Sequence, residues 1–134
     1  FWLATLAAFG FVFAFEFVVH GVLLKGMYVE TAHLWRTEED SKMLFITMDQ
    51  IVFSLVAAFF FTKICDTDFF KNNGLRYRLL LGLILASPTI ASYFYMPVPF
   101  ELWISWVGAE TVKGLGAGIV IALVYTTDLG ASTA

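Results

Sequence analysis

The first 24 residues form an apolar run long enough to cross a membrane, and two ionisable side chains lie inside it. The run reads FWLATLAAFGFVFAFEFVVHGVLL, and its ionisable residues are Glu16 and His20. A helix places residues four apart on one face, one turn from each other. Ionisable groups at membrane depth are costly unless they are paired or face protein. The pair therefore requires a structural or a chemical explanation.

The composition of the whole chain is typical of an integral membrane protein. Of its 134 residues, 60% are hydrophobic and only 14% are charged, whereas soluble domains are about 45–50% apolar and about 25% charged. The net charge of −3, with scattered basic residues, argues against a nucleic-acid surface. The single cysteine, Cys65, excludes an intrachain disulfide and a CxxC motif.

Four apolar segments have the length of about 20 residues that a membrane-spanning helix needs. The sequence therefore predicts an all-α fold, a bundle of four transmembrane helices that forms a single integral membrane domain over residues 1–134. We expect the first helix to continue unbroken into the membrane interface through the stretch KGMYVETAHLWR, and Pro88 to kink the third. The predicted spans are about residues 2–24, 43–64, 75–96 and 100–125.

The basic residues favour an orientation with both termini in the cytoplasm. Four spans place the termini and the second connection on one side, and cytoplasmic loops carry an excess of Lys and Arg. We expect a bacterial cytoplasmic membrane, with the lipid bilayer as the surrounding partner. The terminal side carries Lys63, Lys71, Arg76 and Arg78, against Lys25, Arg36 and Lys42 on the other.

Two interpretations of Glu16 and His20 stay open: a pair that locks the helix to its neighbours, or a pair with a chemical role. A bis-histidine haem site needs a facing His, but the only other one, His33, lies in the same segment. Glu30 and His33 have the Glu-x-x-His spacing of di-iron bundles, yet no second copy exists. We therefore predict no metal or other cofactor held by this chain, and leave quinone or haem contact through a partner subunit open.

Further polar and small residues lie inside the other apolar segments. Asp49 is close enough to the start of its segment to reach the interface or the polar residues of the first connection. Glu110 and Lys113, three apart, predict an intrahelical pair that points into the bundle or towards a partner subunit. Gly114 and Gly118 have a GxxxG spacing, which predicts close helix packing within the chain or between subunits.

Two stretches carry a resemblance to a known class of protein. In FEFVVHGVLLKGMYVETAHLWR an early His-Gly is followed by a Tyr and a Trp-Arg, and in PVPFELWISW…GLGAG a Pro-x-Pro hairpin precedes a Trp- and Gly-rich last helix. In these features most of the chain resembles small four-helix bacterial membrane proteins built on a domain of unknown function. The resemblance implies the membrane bundle and no particular activity.

The sequence contains no nucleophile and base at a recognisable spacing, so we expect no enzyme activity from this chain alone. The leading hypothesis is an accessory or structural subunit of a larger membrane complex, such as a respiratory or other redox complex. Partner subunits or further copies of the chain would then contact the glycine helix and the outward-facing Phe side chains. The alternative is an independent protein that handles protons or a small solute through Glu16 and His20. A metal enzyme would require ligands from another chain.

Overall fold

The computed structural model describes residues 1–37, 43–64 and 74–131, and over these residues every regular element is a helix. Two of the basic residues used for the orientation, Lys42 and Lys71, lie outside the described residues. The elements are α1 (Trp2–Val18), a π-helical turn (Val19–Leu23), α2 (Lys25–Glu30), a 3₁₀ turn (Ala32–Leu34), α3 (Met43–Ile64), α4 (Gly74–Ser92) and α5 (Phe100–Ala131).

Among the described residues, three helical segments are long and apolar enough to cross a membrane, namely Trp2–Leu23, Met43–Lys63 and Phe100–Tyr125. This finding agrees with an integral membrane protein. The third predicted span, which corresponds to α4, is not among the three, so the count of four spans is not confirmed. The helix ends at Ser92 rather than Met96, because the chain turns there towards two prolines that cannot continue a helix.

The predicted unbroken first helix is instead interrupted. After Val18 the backbone widens into a π-helical turn, in which the N–H of Leu24 donates to the carbonyl of Val19, five residues back, at 2.8 Å. Leu24 then departs from helical geometry (φ −93°, ψ 1°), and α2 begins at the next residue. Gly21 and Gly26 flank the break, and glycine lowers the helix propensity on both sides of it.

Small side chains allow α1 to pack closely in the bundle. Ala4, Ala8 and Val12 recur every four residues on α1 and are almost completely buried. They form one apolar cluster with Ala57 and Ala58 of α3 and with residues of α5. Small residues at such contacts let helix backbones approach one another, so α1 lies between α3 and α5.

Glycines also set the approach of α4 to α5. A Cβ atom on Gly114 would lie 2.5 Å from the Cα of Gly82, and one on Gly118 would lie 2.9 Å from Cγ of Arg78. Gly118 comes after Gly114 on α5, whereas its neighbour Arg78 comes before Gly82 on α4. The two helices therefore run antiparallel. The GxxxG spacing is thus used for a contact within the chain.

Helices α3 and α4 meet at one end and separate at the other. At the first end, the hydroxyl of Tyr77 donates to the carbonyl of Ala57 at 2.5 Å, and its ring packs edge-on against Phe61. Towards the other end of α4 lies Pro88, which cannot supply the N–H that a regular helix requires. A cavity of about 270 Å³ lies there, with walls from α1, α3, α4 and α5.

Candidate functional site

The side chain of Lys113 is held between two carboxylates inside the bundle. Its Nζ atom lies 2.5 Å from Oε1 of Glu16 and 2.7 Å from the carboxylate of Glu110. The Lys113 side chain is 11% exposed, and the two carboxylates are 19% and 20% exposed. At 1.5 Å per residue, Lys113 lies about 20 Å along α5 from Phe100. We call Glu16, Lys113 and Glu110 the ion cluster; it joins α1 to α5 inside two of the segments that are long and apolar enough to cross a membrane.

His20 extends the ion cluster towards α2. Its Nε2 atom lies 3.2 Å from Oε2 of Glu16, and its Nδ1 atom lies 2.5 Å from the hydroxyl oxygen of Tyr28. The indole N–H of Trp106 donates to that same oxygen at 2.7 Å. Because an indole can only donate, the hydroxyl oxygen of Tyr28 accepts from Trp106, and its hydrogen is available to Nδ1 of His20. When Tyr28 donates to Nδ1, the neutral imidazole carries its hydrogen at Nε2, facing Glu16.

Aromatic rings hold Tyr28 in place at the outer end of this chain of hydrogen bonds. Its ring stacks with Trp106 and meets Trp35 edge-on, with centroids 6.3 and 5.6 Å apart. The indole of Trp35 donates to the hydroxyl of buried Thr31 at 2.9 Å. Burial raises the pKa of Tyr28 to about 12; the hydrogen bond from Trp106 opposes this rise and the charge of Glu16 adds to it. Tyr28 is therefore a neutral hydrogen-bond donor at physiological pH.

The ion cluster also borders the cavity between α3 and α4. Glu110 and Lys113 line it from α5, and Asp49 and Gln50 line it from α3. Asp49 is exposed and forms no ion pair with any described residue. Gln50 is only 5% exposed, and its Oε1 atom has no hydrogen-bond partner among the described residues. The remaining wall is mostly apolar, from Val12, Phe53, Leu85 and Pro88.

The structure brings four of the sequence-predicted site residues together, since Glu16, His20, Glu110 and Lys113 form one network. Asp49 lines the cavity from α3. The packing residues Gly114 and Gly118 lie further along α5, at the contact with α4.

Sequence reasoning assigned Tyr28 to the interface and did not find its bond to His20. Tyr28 follows His20 by eight residues. In a regular helix that spacing would place Tyr28 about 80° around the helix axis from the face of His20. The π-helical turn holds one extra residue, so Tyr28 returns to the face of His20. Nothing in the hydrophobic pattern marks that turn. Trp106, which lies 78 residues from Tyr28, has no sequence signal beyond its aromatic character.

In the part of the chain that the structure describes, no group of three or more His, Cys, Asp or Glu side chains could hold a metal ion. Glu30 and His33 are both exposed there. No protein-family model, curated protein or solved structure matches this chain.

Proposed function

We propose that this chain is an independent integral membrane protein that takes up and transfers protons through Glu16 and His20. The observation that supports this most is a continuous series of polar contacts from Tyr28, outside the first spanning segment, to Lys113, inside the last one. Each link in this series is 3.2 Å or shorter. Chains of polar side chains at membrane depth are typical of proton relays.

The charge balance of the ion cluster supports the uptake of one proton. Two carboxylates surround a single ammonium group, and an unbalanced charge away from water is costly. A proton that reaches Nδ1 of His20 makes an imidazolium, whose Nε2 proton can pass to Oε2 of Glu16. Lys113 then keeps Glu110 as its counter-ion, so the protonated ion cluster is neutral.

The π-helical turn supports a role for His20 in particular. Single π turns interrupt regular helix bonding and are frequent at functional sites. Here the turn contains His20 itself and lets Tyr28 reach the imidazole ring. If His20 only held α1 against a neighbouring helix, a π-helical turn at that position would not be needed.

Proton flux in vesicles tests the proposal. Purified protein is reconstituted into liposomes that contain a pH-sensitive dye, and a potassium diffusion potential drives proton entry. We expect flux above that of empty liposomes, and a loss of about a hundredfold in Glu16→Gln, since positioned proton-transfer groups contribute on that order. The same loss is expected in His20→Ala.

The matched controls are Glu101→Gln and His33→Ala, which change exposed residues outside the ion cluster. Circular dichroism and gel filtration establish that each variant is folded. Wild-type flux no greater than that of empty liposomes would contradict the proposal. Equal flux in folded Glu16→Gln would contradict the role of the pair.

A second candidate function is an accessory or structural subunit of a larger membrane complex, where quinone or haem contact would come through a partner subunit. It is favoured by the first two turns of α3, whose apolar side chains are exposed at consecutive positions around the helix. Partner subunits or further copies of the chain would cover that surface in place of lipid. These side chains are Met43, Leu44, Phe45, Ile46 and Met48.

The glycines of α5 give this second candidate less support than the sequence suggested. Gly114 and Gly118 contact α4, and a Cβ on Gly116 would overlap the ring of Phe11 on α1. All three glycines are therefore used within the chain. Co-purification of other subunits from the native membrane would favour the subunit function, and a stable monomer or simple homo-oligomer in mild detergent would contradict it.

We infer that α4 crosses the membrane as the third of four spans, in a bacterial cytoplasmic membrane with both termini cytoplasmic. Helix α4 packs antiparallel along α5, and its 19 residues extend about 28 Å at 1.5 Å per residue. That length is close to the thickness of about 30 Å of the hydrocarbon core.

A further inference from the structure

Two hydrogen bonds meet at the hydroxyl of Tyr28, and the direction of one of them is fixed. The indole of Trp106 lies 2.7 Å from the hydroxyl oxygen, and Nδ1 of His20 lies 2.5 Å from it. The second indole beside Tyr28, that of Trp35, donates to Thr31 instead. Because an indole N–H donates and never accepts, Trp106 always occupies the Tyr28 oxygen as a donor.

Proton uptake and proton delivery both require one particular tautomer of His20. The proposed transfer adds a proton at Nδ1 and passes another from Nε2 to Glu16, so the ring gains one proton and loses one. Before each transfer Nδ1 must therefore be free, and Nε2 must carry the hydrogen. An ionised Glu16 favours this tautomer, because a carboxylate can only accept. A protonated Glu16 can donate as well as accept, so it no longer selects the tautomer.

The indole N–H of Trp106 favours the same tautomer from the opposite side of the ring. If Nδ1 carried the hydrogen, the Tyr28 oxygen would accept from both Trp106 and His20. The hydroxyl hydrogen of Tyr28 would then have no acceptor among the described residues. An unsatisfied hydrogen in this half-buried site is costly. Burial also raises the pKa of Tyr28 to about 12, so loss of that hydrogen does not relieve the conflict near neutral pH.

We propose that Trp106 is a positioning residue, which keeps His20 in the Nε2–H tautomer by fixing the Tyr28 hydroxyl as a donor. The inference rests on the proposed function and adds to it a residue that acts through Tyr28. Its effect matters most after delivery, when Glu16 is protonated and selects neither tautomer. Trp106→Phe isolates the hydrogen bond, because it removes the N–H and keeps an aromatic ring to stack on Tyr28.

The nitrogen-15 chemical shifts of His20 test the inference without any proton gradient. The chain has two histidines, so a His33→Ala background leaves the signals of His20 alone. Spectra are recorded in lipid bilayers at about pH 9, above the usual range of imidazole titration. Glu16→Gln is added to this background, because an amide, like a protonated carboxyl group, can donate or accept.

In the Glu16→Gln background we expect the Nε2–H tautomer of His20 to predominate. Adding Trp106→Phe should lower the ratio of the Nε2–H to the Nδ1–H tautomer by about threefold to tenfold, the worth of one hydrogen bond. Tyr28→Phe should lower the ratio in the same way, and it decides the question by itself if Trp106→Phe does not fold. Circular dichroism establishes which variants are folded.

Trp103→Phe is the matched control. It removes an indole N–H from the same helix, but this indole donates to the carbonyl of Thr89 at 2.9 Å and not to Tyr28. Trp103→Phe should therefore leave the tautomer ratio unchanged. An unchanged ratio in folded Trp106→Phe or Tyr28→Phe, or an equal change in Trp103→Phe, would overturn the inference.

Proton flux in liposomes separates this inference from the proposed function. With Glu16 present, Trp106→Phe should lower the flux by about threefold to tenfold, and Trp103→Phe should keep the wild-type flux. Absence of wild-type flux together with the expected tautomer ratios would refute proton transfer alone. Wild-type flux together with an unchanged tautomer ratio in Trp106→Phe would refute the role of Trp106 alone.

Discussion

At the scale of single residues, Tyr28 connects α2 to the ion cluster through His20. Its hydroxyl accepts from Trp106 and donates to His20, so its protonation state determines which tautomer of His20 is bonded to Glu16. Loss of the hydroxyl proton would remove that donor and place a negative charge in a half-buried aromatic environment. The neutral form of Tyr28 is therefore the one that the folded protein favours.

The raised pKa of Tyr28 predicts a loss of stability at high pH. In the unfolded chain a tyrosine ionises near pH 10, whereas burial raises the pKa of Tyr28 to about 12 in the folded protein. The stabilisation is therefore complete below pH 10 and falls as the pH rises through about 12. The tyrosinate absorbance of wild type minus that of Tyr28→Phe measures the titration. Ionisation of Tyr28 near pH 10 in folded protein would contradict the described burial.

The pairs within each helix could be predicted from the sequence, and the contact between them could not. Glu16 with His20 and Glu110 with Lys113 follow from spacings of four and three on a helix. The bond between Glu16 and Lys113 crosses 97 positions of the chain. It depends on the relative axial position of α1 and α5, which the hydrophobic pattern does not specify.

At the scale of elements, the sequence predicted the helices best where apolar runs are long and free of special residues. The predicted segment 43–64 coincides with α3, and the start of α5 at Phe100 was predicted, although that helix continues to Ala131. The predictions were wrong at the end of α4 and at Leu24. At the end of α4 the turn before the prolines ends the helix, and at Leu24 the π-helical turn interrupts it. In both places local backbone geometry overrides the apolar pattern.

The contact between α4 and α5 predicts a cost for enlarging Gly114. In Gly114→Ala the new Cβ would lie 2.5 Å from Cα and 2.6 Å from N of Gly82, and backbone atoms cannot move aside as a flexible side chain can. We expect destabilisation of about 1–3 kcal/mol, typical of overpacking, measured by unfolding in mixed detergent micelles.

The control is Gly108→Ala on the same helix, where a Cβ would meet nothing within 4 Å. That change should be neutral or stabilise the protein by up to about 1 kcal/mol, because alanine favours the helix. Equal effects of the two substitutions would show that α4 does not approach α5 at Gly114.

At the scale of the whole molecule, the polar groups converge where three helices and the cavity meet. Helix α1 supplies Glu16, helix α5 supplies Glu110 and Lys113, and helix α3 reaches the same region with Asp49 and Gln50. The proposed proton transfer depends on the bond between Glu16 and Lys113, which joins α1 to α5.

A double-mutant cycle tests this bond most directly. The unfolding free energies of wild type, Glu16→Gln, Lys113→Met and the double variant are measured in mixed detergent micelles. We predict a coupling energy of about 0.5–3 kcal/mol, as for residues in one ionic network. Glu101→Gln combined with Lys113→Met should be additive within about 0.5 kcal/mol, because Glu101 lies three turns away on α5. Additive effects of Glu16→Gln and Lys113→Met would contradict the ion cluster and the proton transfer that depends on it.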